Sequence, residues 1–234
     1  MSTPEKRAFD LRITRTIGAI GLGVGVLTAS FLTVANGTFP LFRQERVGRR
    51  EEEGDTFTIL KLLTLDEAGN HLRGARLARK VGLDETPQFL NVLAGTMTVS
   101  SYRPLVVEDE NKAVKRLRQH FLPGHPCDPD NWIELRRQCL PGITGPAQIM
   151  PKRPDAGSLD HLAEVVKEEC LYLRLGDQSD DWRYVKATPG ALLGGRNPTV
   201  ERAQATIDTQ ETLVMPEPLP ATDQLSLFDR LTRS

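Results

Sequence analysis

The stretch VGLDETPQF, residues 81–89, sets two carboxylates, Asp84 and Glu85, side by side between Gly82 and Pro87. A carboxylate is already ionised at neutral pH, so it can act as a nucleophile or a base without a stronger base beside it. Adjacent acids are also common at solvated helix ends, and the pair alone does not separate the two readings. Gly82 and Pro87 put the pair at or near a helix boundary. Further on, PGITG at 141–145 offers glycines that let a backbone approach a ligand closely, or a plain structural turn. Cys127, Cys139 and Cys170 form no C-x-x-C pair and the four histidines are scattered. That spacing argues against a zinc site or disulfide framework and fits a reducing compartment.

The elements that must position the pair begin with an uncharged run from Thr16 to Phe42, long enough for the roughly 20 apolar residues that a bilayer core demands. A cleaved signal, a simple span and a re-entrant helix all fit that length. Lys6, Arg7, Arg12 and Arg15 precede the run and Arg43, Arg46, Arg49 and Arg50 follow it. Cationic flanks on both sides favour one aqueous face for both, which a re-entrant helix satisfies and a straight span does not. Gly18, Gly21, Gly23 and Gly25 weaken the helix where a bend would be needed. The G-x-G-x-G at 21–25 lies inside the apolar run, not between a strand and a helix, so it is no dinucleotide loop.

Beyond the run, TFTILKLLTL reads as a short strand. Residues 66–80 read as a helix with Arg73, Arg76 and Arg79 on one face, solvated or resting on anionic headgroups or phosphates. Helices are also expected over 109–120 and 159–174, and a flexible tail from Arg196. The formal net charge of −1 conceals basic clusters at 6–15, 43–50 and 73–80, and nothing in it points to nucleic acid.

Several motifs then fall in order. Lys6-Arg7-Ala8-Phe9-Asp10 precedes the apolar run and Phe42-Arg43-Gln44-Glu45-Arg46-Val47-Gly48 follows it. Leu83 through Leu93, continued by Gly95 and Met97, is next, then Arg103-Pro104-Leu105 and Pro141 through Gln148. From about residue 5 to 195 the chain resembles the bacterial sugar transferase family, the monotopic phosphoglycosyl transferases. The resemblance implies an α+β fold, predominantly helical. It has a re-entrant membrane helix (1–42), a small cytoplasmic catalytic domain with interfacial helices and short strands (43–195), and here a C-terminal tail (196–234). It also implies transfer of a phospho-sugar from a UDP-sugar to polyprenyl phosphate at the cytoplasmic face of the cell membrane. Asp84 is then the nucleophile, Glu85 its helper, and both are ligands of Mg²⁺. Lys61, Arg79, Arg103, Gly142, Thr144, Gln148 and Asp181 are the expected substrate-binding residues.

The chain departs from the family at several points. The Ser-Pro pair that breaks the family helix is absent, and glycines stand in its place. The Lys-Phe-Arg/Lys-Ser/Thr-Met motif reads Lys61-Leu62-Leu63-Thr64-Leu65, the Gly-Pro before Arg103 is Ser101-Tyr102, and the serine before Leu83 is Gly82. After Gln148 an asparagine-glycine-arginine is replaced by Met150-Pro151-Lys152-Arg153. A non-catalytic membrane scaffold of the same fold is therefore the alternative function. In the tail, Gln224, Leu225, Leu227 and Phe228 are similar to the peptide that docks on the bacterial sliding clamp, and an amphipathic turn explains them equally.

Overall fold

The computed structural model describes residues 3–49, 56–150 and 157–193. Thr3 caps helix α1 (Pro4–Ile13), its hydroxyl accepting from the Lys6 amide, with Pro4 at the first helical position. A single π turn, Thr14–Gly18, carries α1 into α2 (Ala19–Asn36), giving one helical rod from Pro4 to Asn36. The rod ends at Gly37, whose φ of 68° makes the left-handed cap. The 18 residues of α2 span about 27 Å at 1.5 Å per residue. By length and apolar composition the rod could cross a membrane.

The glycines do not bend it. α2 runs as regular helix through Gly21, Gly23 and Gly25, and the irregular turn lies before them. Their use is close approach. A Cβ on Gly18 would meet the Phe89 ring at 2.8 Å, one on Gly21 would touch it at 3.4 Å, and one on Gly25 would collide with the Thr86 hydroxyl. This glycine face continues to Leu32, which is buried with Leu62 and Ala75. The opposite stripe, Ile17, Ile20, Val24, Leu27, Phe31 and Val34, repeats at three- and four-residue spacing and is exposed.

Both ends of the rod are fastened to the same body. At the start, Phe9 and Ile13 are buried with Ile59, Val92, Met97 and Val99, while Asp10 accepts from Thr98 Oγ1 and, at 2.9 Å, from the Val99 amide. At the far end, Asn36 Oδ1 accepts from the Arg73 amide at 2.8 Å and its Nδ2 donates to the Arg73 carbonyl. The rod lies along the domain instead of projecting from it.

β1 (Leu41–Val47) and β2 (Thr56–Leu62) form an antiparallel hairpin that sets Phe42 opposite Lys61. β2 is the strand expected from TFTILKLLTL. The helix expected over 66–80 shortens to α3 (Ala75–Lys80). Gly69 and Gly74 take φ of 82° and 77°, and the Asp66 carboxylate caps a turn at the Asn70 amide, so 66–74 cannot continue a helix. Arg73 thus lies outside the helical stripe that contains Arg76 and Arg79.

A short 3₁₀ turn, Leu83–Glu85, leads into α4 (Gln88–Ala94) and β3 (Thr98–Ser100). Then follow α5 (Val107–Leu117), α6 (Pro129–Gln138), β4 (Gly142–Thr144), α7 (Pro146–Ile149), α8 (Leu159–Leu175) and α9 (Gln178–Leu193). α5 and α8 match the expected helices; α9, which contains Pro189, has no counterpart among them. PGITG is a strand where a turn was one expectation: β4 pairs in parallel with β3, and a Cβ at Gly142 would strike the Ser101 backbone. Among the described residues the fold is mostly helical, with four short strands in two separate two-stranded sheets. The expected tail and its Gln224–Phe228 peptide lie outside the described residues.

The glycine face makes a testable contrast. Gly25→Leu should destabilise the protein by about 1–3 kcal/mol through overpacking against Thr86. Gly23→Ala, which points into open space, should leave stability unchanged or raise it by up to about 1 kcal/mol. Thermal unfolding of both variants in detergent checks the difference.

Candidate active site

The acidic pair is held by a turn that the local sequence dictates. Gly82 has φ of 74°, a conformation that glycine adopts at far lower cost than a residue with a side chain. Its carbonyl accepts from the Glu85 amide at 3.2 Å, and the Thr86 hydroxyl closes onto the Leu83 carbonyl at 2.8 Å. Pro87 then starts α4, and Thr86 and Phe89 seat the segment on the glycine face of α2. Asp84 is half-buried and lines a cleft of about 1000 Å³ together with Phe42, Gln44, Arg46, Lys61 and Arg79.

Cations from three separate elements meet the pair. Lys61 on β2 reaches Glu85 Oε1 at 3.0 Å, and Arg103, just after β3, reaches the same oxygen at 3.4 Å. Burial alone pushes the Glu85 carboxyl up, but Arg103 and Lys61 outweigh it and leave its pKa below the ordinary value. Asp84 goes the other way. Burial raises its pKa, the adjacent Glu85 charge adds to that, and Lys61 and Arg79 only partly offset them. Among the described residues Asp84 has no ion-pair partner. One acid is thus spent on structure, while its neighbour is left partly desolvated and facing the cleft.

The remaining expected residues sit elsewhere. Thr144 is buried and its hydroxyl shares a short hydrogen bond with Thr188. Gln148 Nε2 donates to the Ile143 carbonyl at 3.2 Å, and the Gly142 amide to the Tyr102 carbonyl at 2.8 Å. Asp181 is buried, pairs with Lys6 at 2.7 Å and accepts from the Tyr172 hydroxyl. It lines a second cavity, of about 500 Å³, that shares no lining residue with the first. Lys61, Arg79, Asp84, Glu85 and Arg103 therefore form one constellation, and the described contacts of Gly142, Thr144, Gln148 and Asp181 are with the protein itself.

One cleft residue is absent from the expected site residues. Arg46 enters the sequence analysis as a cationic flank of the apolar run, yet it lines the cleft, half-buried, and its Nη2 donates to Gln44 Oε1 at 2.6 Å. Burial, then the charge of Arg103, pulls its pKa below the usual guanidinium value. The signal was present: Phe42, Gln44 and Arg46 alternate along β1 and share a face. Asn91 is a structural keystone, accepting from the Leu60 amide at 3.1 Å and donating to the Thr58 carbonyl at 2.8 Å.

The electrostatics predict opposite shifts for two neutralising changes. Glu85→Gln removes a like charge and should lower the Asp84 pKa, whereas Lys61→Ala removes an attractive one and should raise it. Side-chain carboxyl NMR titration of the labelled protein reads both.

Comparison with known proteins identifies the family of the chain. The family model "Bacterial sugar transferase" matches residues 1–195. An uncharacterized sugar transferase, EpsL, of Bacillus subtilis is 30% identical over 155 residues, covering 62% of this chain and 67% of the relative. The UDP-glucose:undecaprenyl-phosphate glucose-1-phosphate transferase of Caulobacter vibrioides is 25% identical over 202 residues, 81% of this chain and 70% of the relative. The protein of that name from Klebsiella pneumoniae is 34% identical over 99 residues, and the chain spans only 18% of its length. With a family match that runs from the apolar rod through α9 and takes in every residue of the Asp84 constellation, this chain belongs to the bacterial sugar transferase family.

Proposed function

We propose that this protein is a phosphoglycosyl transferase that moves a phospho-sugar from a UDP-sugar to polyprenyl phosphate. The observation that carries the proposal is Asp84: a carboxylate without an ion-pair partner among the described residues, in a cleft whose walls carry Lys61, Arg79 and Arg46. An anion attacks a diphosphate only where positive charge is already in place, and these side chains supply it without reorganisation.

In the first half-reaction an Asp84 carboxylate oxygen attacks the phosphorus that bears the sugar. A new P–O bond forms, the P–O bond to the nucleotide breaks, and UMP leaves with the bonding pair. In the second, an oxygen of polyprenyl phosphate attacks that phosphorus and the Asp84 carboxylate departs, giving a polyprenyl diphospho-sugar. Such a product is the starting point of an exopolysaccharide, lipopolysaccharide or glycoprotein glycan.

The described residues hold no cluster of three or more metal-ligating side chains. Mg²⁺ fits here nonetheless, because it keeps several waters and is commonly held by one or two carboxylates plus substrate phosphates. Asp84 and Glu85 would hold it; both cations on Glu85 meet Oε1, leaving Oε2 for a ligand. When bound, the ion would neutralise phosphate charge and align the leaving group.

The reading places the protein on one face of the membrane, the cytoplasmic one; the attachment of both rod ends supports a monotopic arrangement, while the unbent helix lacks the turn of a re-entrant one. A straight span would carry one end of α1–α2 away from the domain, whereas Asp10 and Asn36 both bond to it. The exposed Ile17-to-Val34 stripe is then the surface for lipid, and the cleft lies where a soluble donor and a lipid phosphate can meet.

Purified protein with Mg²⁺, polyprenyl phosphate and a panel of UDP-sugars should release UMP, and Asp84→Asn should abolish release. No UMP from any donor would favour the scaffold alternative; release of UDP would mean glycosyl rather than phosphoglycosyl transfer.

A further inference from the structure

We infer that the buried Arg136–Glu169 pair, with Trp132, is a positioning device for Arg103, holding that residue by its main chain so that its guanidinium meets Glu85. Arg136 and Glu169 are each 2% exposed. The Arg136 fork is divided: Nη1 pairs with Glu169 Oε2 at 2.8 Å, and Nη2 donates to the Arg103 carbonyl at 3.0 Å. Glu169 is divided too. Oε2 also accepts from Trp132 Nε1 at 2.9 Å, while Oε1 accepts from the Arg103 amide at 3.3 Å. One ion pair therefore grips the Arg103 peptide on both its N–H and its C=O. The guanidinium of Arg136 is itself fixed between the Tyr102 and Trp132 rings, 4.2 and 4.7 Å from their centroids.

Stability alone is a poor reason for such a pair. Desolvating two charges costs about as much as their attraction returns, and apolar replacements of similar size are often as stable. The return is geometric. Arg103 is exposed and its side chain is long, so without a fixed backbone its guanidinium would sample many positions instead of one 3.4 Å from Glu85 Oε1. Lysine at 136 would keep a charge for Glu169 but, as a single ammonium, could not present the two separate arms of the fork. The groups facing Glu85 are Asp84, Lys61, Arg103 and, more distantly, Arg46. Arg103 is the one whose loss the broken clamp should reproduce.

This inference places the clamp behind the cleft proposed above as the active site, but its primary test does not need turnover. In the wild type the Arg103 Nε–Hε resonance, assigned by its loss in Arg103→Ala, should show the high order parameter of a held guanidinium. In Arg136→Met/Glu169→Gln that order parameter should fall to the value of a free surface arginine. Arg136→Lys keeps the ion pair, serves if the double variant does not fold, and should loosen Arg103 in the same way. UMP release should fall about tenfold to a hundredfold in the clamp variants, in line with a small misplacement of a charged group. Adding the double change to Arg103→Ala should lower release no further. If Arg103 stays as ordered as in the wild type in a folded clamp variant, or if the losses of release add, the inference is overturned. A wild type that releases no UMP, with the Arg103 order lost as expected, would refute the proposed function and leave the clamp standing.

Discussion

Two adjacent carboxylates in a half-buried turn repel each other and lose solvation, so something must compensate them. That constraint organises the molecule. β2 delivers Lys61, α3 delivers Arg79, and the segment after β3 delivers Arg103. The compensation is unequal. Glu85 takes two ion pairs and is held ionised, whereas Asp84 receives only more distant attraction and is pushed toward protonation by burial and by Glu85. Environments that split two neighbouring acids in this way are how one pair comes to hold two roles. The anchored acid gathers the cations, and its neighbour faces the cleft without an ion-pair partner among the described residues.

The same turn depends on the apolar rod. Thr86 and Phe89 follow the pair directly and rest where Gly18, Gly21 and Gly25 leave no side chains. The helix that exposes an apolar stripe on one side is therefore the floor of the acidic turn on the other. The exposed apolar stripe and the alignment of the cleft are not independent features here, because one helix supplies both surfaces. Fastening at Asp10 and Asn36 keeps the rod in register with the turn along its length.

Much of this was legible in the residues. Alternation gave β2, helical periodicity gave α5 and α8, and Gly82 and Pro87 marked the boundary around Asp84. Local signals failed where tertiary contact decides. Gly21 to Gly25 look like helix breakers in isolation, and only the docked Thr86 and Phe89 reveal a packing face. The 66–80 pattern carries helical spacing, yet Gly69 and Gly74 in left-handed geometry confine the helix to six residues. PGITG has the composition of a turn, and its parallel pairing with β3 depends on a partner some forty residues away. Arg46 was hidden among basic neighbours because its burial comes from the cleft walls, which no linear pattern records.

The central claim is that Asp84 carries the phospho-sugar between donor and acceptor. Intact-protein mass measurement after mixing with donor alone tests it most directly. The account predicts an increment of one phospho-sugar that maps to the peptide containing Asp84. The adduct should disappear when polyprenyl phosphate is added and be absent from Asp84→Asn. Turnover by Asp84→Asn, or an adduct on a different residue, would contradict it.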